Sequence, residues 1–116
     1  MNVDWVKLRN PSNEDTLYYY DGPMLWISRE GGQLRIWTVI NMNDKTRIET
    51  IMGAPITEEQ LDLVLLNKMF IRDAFESENA LLVDLTYDNI LIKQQEFDSR
   101  GKDDFLPEAG IYLFLE

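Results

Sequence analysis

Chemistry that needs an imidazole or a thiolate is closed to this chain, because its 116 residues include neither His nor Cys. Zinc, copper and haem sites built on imidazole are excluded, as are thiolate metal sites, disulfides and every His-based triad. What remains is 21 carboxylates, 11 Lys or Arg side chains and a set of aromatics. Paired carboxylates can hydrolyse glycosides, but no spacing here singles out a pair, and no good base near neutral pH is present. Asp98, Asp103 and Asp104 offer hard oxygens for Mg²⁺ or Ca²⁺ without the spacing of an EF-hand loop. They read as a solvated acidic loop. Arg100-Gly101-Lys102 lacks both the upstream Gly and the following Ser or Thr of a phosphate-cradling loop. Arg72-Asp73 reads as a surface ion pair of little energetic weight. The expectation is a protein without catalytic residues, metal or cofactor.

The chemistry left open is recognition by aromatic and cationic side chains. Tyr18, Tyr20, Trp26 and Trp37, with Arg35 and Arg47, are the candidates. They sit in the stretch 17–52, which reads as successive strands over Leu17–Tyr20, Met24–Arg29, Leu34–Met42 and Thr46–Met52, each ended by a turn signal. A Gly31-Gly32 hairpin pairs Ile27 with Ile36, Leu25 with Thr38 and Trp26 with Trp37. A three-residue Asn43-Asp44-Lys45 loop then pairs Ile40 with Ile48 and Thr38 with Thr50. Only an odd loop keeps Ile48 on the face of Leu25, Ile27, Leu34, Ile36 and Ile40. A three-residue Asp21-Gly22-Pro23 hairpin puts Tyr18 across from Trp26 and Tyr20 across from Met24. The sheet is therefore aliphatic on one face and aromatic on the other, with Arg35 and Arg47 at the rim. A half-exposed antiparallel sheet alternates apolar and polar residues. This one does not, so something covers the second face: either it is a second core, closed by a helix or by the C-terminal strands, or it meets a second copy of the chain or a ligand.

Further elements complete the domain. Val6 and Leu8 alternate with Lys7 and Arg9, which suits a short strand before the Asn10-Pro11-Ser12-Asn13 loop. Thr57 and Gln60 form a capping box, and Ile56 with Leu61 a hydrophobic staple, for a helix running to about Asn67. Its wide Leu61–Leu66 apolar stripe implies a largely buried helix. Met69–Glu78 reads as a second short helix. Ala80–Tyr87 and Ile90–Phe97 read as a hairpin pairing Leu85 with Ile92, and Ile111–Leu115 as a terminal strand. The fold expected is a single α+β domain over residues 1–116. A mostly antiparallel meander sheet of about five to seven strands packs with one long and one short helix.

Net charge is −10. Residues 1–56 are nearly balanced, with six Lys or Arg against seven Asp or Glu, while residues 57–116 carry five against fourteen. That excess opposes nucleic acid and anionic membrane. No apolar run approaches the roughly 20 residues of a membrane span, and no secretory signal opens the chain. The expected compartment is the cytoplasm.

Tyr18-Tyr19-Tyr20-Asp21-Gly22-Pro23-Met24-Leu25, the capped Ile56-Thr57-Glu58-Glu59-Gln60-Leu61 start and Ile71-Arg72-Asp73-Ala74 together resemble a small bacterial and phage domain family of unknown function. The resemblance spans roughly residues 17–75. Its motifs are a turn, a cap and a short helix, and it implies a β-meander with a capped helix but no activity. The functional expectation is a non-enzymatic interaction protein, bacterial or phage-borne, that acts by occupying a protein partner or a second copy of itself. The alternative is a protein that binds or sequesters a nucleotide-like signal on the aromatic face, as in phage counter-defence.

Overall fold

The computed structural model describes residues 3–114. Its elements are α1 (Trp5–Arg9), β1 (Thr16–Tyr19), β2 (Pro23–Ser28), β3 (Arg35–Asn43), β4 (Ile48–Pro55), α2 (Glu58–Leu65), α3 (Ile71–Phe75), β5 (Ala80–Thr86) and β6 (Leu91–Phe97). The six strands form one antiparallel sheet in sequence order. This is the α+β meander expected.

The β2–β3 hairpin follows the predicted register: Leu25 opposes Thr38, Trp26 opposes Trp37 and Ile27 opposes Ile36. Its turn depends on Gly31 (φ 62) and Gly32 (φ 76), where a side chain would be strained. The β3–β4 hairpin departs from expectation. Four residues, Asp44–Arg47, separate the Asn43–Ile48 pair. Asn43 Oδ1 accepts from the backbone N–H groups of Lys45 and Thr46 at 3.0 and 3.2 Å and stabilises the turn. An even loop alone would reverse the faces. A bulge between Val39 and Asn41 inserts Ile40 as an extra residue and restores them, so that Thr38 opposes Met52 and Val39 opposes Ile51. β4 also continues past Met52 to Pro55. Gly53 passes directly beneath Trp37, where a Cβ would lie 2.6 Å from the indole ring.

The aliphatic face is covered by α2, α3 and the segment after β6. Leu25, Ile27, Ile36, Met52 and Ala54 pack there against Leu61, Val64, Phe75 and Leu106. The capping box of α2 is present as predicted, with Thr57 Oγ1 accepting from Gln60 N at 3.0 Å and Gln60 Oε1 accepting from Thr57 N at 2.8 Å. The helix is shorter and less buried than its stripe implied. It ends at Leu65, and Leu65 and Leu66 face solvent while Leu61 and Val64 point inward.

The aromatic face is a second core. Trp26, Trp37, Ile51, Leu81, Val83 and Leu85 are buried there with Trp5 and Leu8. The cover is α1, an element expected as a strand. Asp4 caps it, its carboxylate accepting from Lys7 N at 3.1 Å. Trp5, Leu8 and Arg9 then fall at i, i+3 and i+4 on one inward face. Trp5 meets Trp37 edge-on at 6.2 Å, and Trp37 stacks on Trp26 at 6.5 Å. Of the covers the sequence leaves open for this face, a helix closes it as a second core, and the helix is the chain's own N-terminal one.

Two further expectations are corrected. In β5–β6, Leu85 opposes Leu91 rather than Ile92, with an irregularity after Asp84. Residues 111–114 of the predicted terminal strand are irregular, and Leu115 lies outside the described residues.

Gly53→Ala is expected to destabilise the fold by about 1–3 kcal/mol, because the methyl group must displace a buried ring. Trp37→Ala is expected to cost about 3–5 kcal/mol, the range for an emptied aromatic site. Denaturant unfolding checks both. A near-neutral Trp37→Ala would show that the face is not a core.

Candidate interaction groove

The six candidate residues do not converge on one surface. Trp26 and Trp37 have no solvent exposure. Trp37 Nε1 donates to Ser28 Oγ at 2.8 Å, whereas Trp26 Nε1 finds no acceptor among the described residues. Arg35 starts β3 opposite Ser28 and Pro55. Burial lowers its pKa, with the Glu96 carboxylate pulling the other way. Arg47 lies in the turn at the other end of β3, with its guanidinium 5.1 Å from the Tyr87 ring centroid. The length of β3 holds the two arginines about 25 Å apart at the rise of an extended strand, too far for one nucleotide to bridge.

Tyr18 and Tyr20 are displaced for a different reason. The β1–β2 loop is Tyr20–Gly22, one residue earlier than predicted, with Tyr19 opposite Pro23. Asp21 (φ 54) and Gly22 (φ 136) make the turn, and Pro23 opens β2, where its missing N–H costs no ladder bond. Two irregularities in β1 leave Thr16 opposite Trp26 and Tyr18 opposite Leu25. Tyr18 and Tyr20 therefore leave the tryptophan face, and Tyr18–Tyr20 are all exposed.

The residue that meets the Trp26 ring is Arg9, which the sequence reading left unassigned. Its guanidinium carbon lies 4.7 Å from the ring centroid. Nε donates to Glu49 Oε1 at 2.6 Å, Nη2 to Glu49 Oε2 at 3.3 Å and Nη1 to the Pro23 carbonyl at 2.7 Å. Arg9 is 8% exposed and Glu49 3%. A cleft of about 310 Å³ opens beside this pair, lined also by Asn10, Met42, Tyr87 and Asn89. The two charges answer each other, so the pair works as an anchor for α1 rather than as an unused binding charge. The signal that could have found it is the Asp4 cap with the i, i+3, i+4 spacing of Trp5, Leu8 and Arg9.

An apolar groove of about 410 Å³ lies on the other face, at the β1 edge. Leu25 and Thr38 of the sheet line it together with Tyr18, Ile71, Ile111 and Tyr112. Of the predicted site residues it contains Tyr18 alone. The C-terminal segment forms one of its walls and is tied down at several points. Asn67, at φ 55 just after α2, uses both ends of its amide on Phe114. Its Nδ2 donates to Phe114 O at 2.8 Å, and its Oδ1 accepts from Phe114 N at 3.0 Å. Ile71 N donates to Ile111 O at 2.9 Å, and the Phe70 and Tyr112 rings lie 4.6 Å apart. Leu113 packs on the aliphatic core. Tyr18 is nevertheless 54% exposed and Tyr112 40%. An aromatic pair held in place but left wet suits a partner's apolar side chain.

Among the described residues no three His, Cys, Asp or Glu side chains are grouped to hold an ion. Side-chain and backbone hydrogen bonds from Arg100 hold Asp98 down to about 2, and Asp103 pairs with Arg72. No helix among the described residues is long and apolar enough to cross a membrane. Compared with protein-family models, characterised proteins and solved structures, the chain matches none. The resemblance noted above rests on its motif residues alone.

Arg9→Ala is expected to cost about 3–5 kcal/mol, since it strands Glu49 in a buried site. The paired change Arg9→Met with Glu49→Leu is expected to cost far less, because it removes both charges together. Chemical denaturation measures each. Acrylamide should quench the intrinsic fluorescence weakly in the parent protein and markedly more strongly in Arg9→Ala, where α1 loosens from Trp26 and Trp37.

Proposed function

We propose that this chain is a non-enzymatic interaction protein that acts by occupying a protein partner through the groove between Tyr18 and Tyr112. The observation that carries this reading is the groove itself, about 410 Å³ of apolar space with a core floor and half-exposed aromatic and aliphatic walls. Pockets of a few hundred Å³ lined in this way are where anchor side chains bind. Tyr19 and Tyr20, the next residues along the chain, are exposed as well. Residue chemistry supports occupancy over turnover, since no imidazole or thiol is present. The motif resemblance supports a bacterial or phage source.

The nucleotide-signal alternative draws less support. It relied on open stacking against Trp26 and Trp37, and both rings are sealed beneath α1.

A photo-crosslinking amino acid at Tyr112 is expected to form a discrete protein adduct in cells, and one at exposed Asp88 none. Tyr18→Ser is expected to abolish the adduct while changing stability by less than about 1 kcal/mol, as for an exposed side chain. Equal adducts at the two positions, or an adduct indifferent to Tyr18→Ser, would overturn the groove as the docking site.

A further inference from the structure

The groove is apolar and the segments that form it carry unpaired carboxylates, and we infer from this that its partner is a polypeptide segment presenting one large apolar side chain flanked by Lys or Arg. The inference rests on the groove being the docking site. Three segments contribute to its lining, residues 18–25, 71–75 and 107–113, with Thr38 of β3. Each segment also carries one exposed carboxylate outside that lining, Asp21, Asp73 and Glu108 respectively. None of the three makes an ion pair among the described residues. The one cation in those segments is Arg72. It is committed elsewhere, to Glu76 at 3.3 Å, to Asp103, and through Nη1 to the Pro107 carbonyl at 3.4 Å. Three carboxylates without an ion-pair partner among the described residues thus stand in the segments that form the groove, on a protein of net charge −10.

That arrangement selects among partners in two ways. A carboxylate-bearing segment, a nucleic acid or an anionic lipid surface meets like charge at close range and is repelled at long range. A segment with Lys or Arg on either side of an aromatic or branched aliphatic residue meets the reverse. Its apolar side chain fills the space between Tyr18 and Tyr112, and its cations meet the carboxylates of the segments that form the groove. Because these carboxylates are exposed, their contribution falls with salt, whereas burial of the anchor does not. A second copy of this chain is disfavoured by the same carboxylates.

Selection of a randomised heptapeptide display library on the intact protein tests this. The expected winners carry an aromatic or branched aliphatic residue with at least two Lys or Arg within three positions. Their affinity should fall about tenfold against the triple variant Asp21→Asn, Asp73→Asn, Glu108→Gln, and by a similar factor in 0.5 M NaCl. It should be lost against Tyr18→Ser with Tyr112→Ser. Winners that lose binding to the tyrosine variant but are neutral or acidic overturn the basic class and leave the groove standing. Winners that still bind the tyrosine variant, or no enrichment at all, overturn both readings. Circular dichroism of each variant confirms that a loss is not unfolding.

Discussion

A helix of five residues cannot hold two tryptophans out of water by its apolar surface alone, and the buried pair between Arg9 and Glu49 is what makes α1 an adequate cover. Arg9 reaches from the last turn of α1 to β4, closes a two-bond fork on Glu49 and lies against the Trp26 ring. Its third contact, to the Pro23 carbonyl, ties the helix to the start of β2 as well. Such a pair gains little net free energy from its charges, because desolvation offsets attraction. What it supplies is position. Either charge left alone would be costly, so α1 has one low-energy seat, and in that seat Trp5 meets Trp37.

Because both faces of the sheet are covered by the chain itself, only the margins are left for the recognition proposed above. The tryptophan face is closed by α1 and the aliphatic face mostly by α2 and α3. The aliphatic cover runs out at the β1 edge. There the C-terminal segment, pinned by Asn67 and by the Ile71 amide, reaches over the sheet and leaves an apolar groove instead of a closed core. A wall made of irregular chain would be mobile by default. Here three hydrogen bonds, a ring contact and the packing of Leu113 hold it, so the groove is formed by the chain alone. Preorganisation of this kind lowers the ordering cost of binding.

The pattern along the strands was enough to sort side chains between two faces. The alternation of Trp26 with Leu25 and Ile27, and of Trp37 with Ile36 and Thr38, depends on the two-residue period of an extended chain alone. So do the turn at Gly31-Gly32 and the capping box at Thr57 and Gln60, both local in origin. The β3–β4 register was not legible in the same way. Loop parity and a bulge at Ile40 compensate each other, and many combinations of the two give the same faces. The tyrosines were misplaced for a related reason, since two irregularities in β1 shifted Tyr18 to the groove side.

The sequence by itself determined the chemistry that is closed, the two-faced sheet and the capped helix, because residue type, strand period and a four-residue cap act over short range. Tertiary structure alone decided what covers each face. The Arg9–Glu49 contact spans 40 residues of chain, and the Asn67–Phe114 contact spans 47. Nothing local to Arg9 says that its partner is on β4, and nothing local to Tyr112 says that it will line a groove with Tyr18. Those pairings join residues far apart along the chain, and they decided between the two readings of the aromatic face, core and binding surface, in favour of the core, and placed the candidate site on the opposite side.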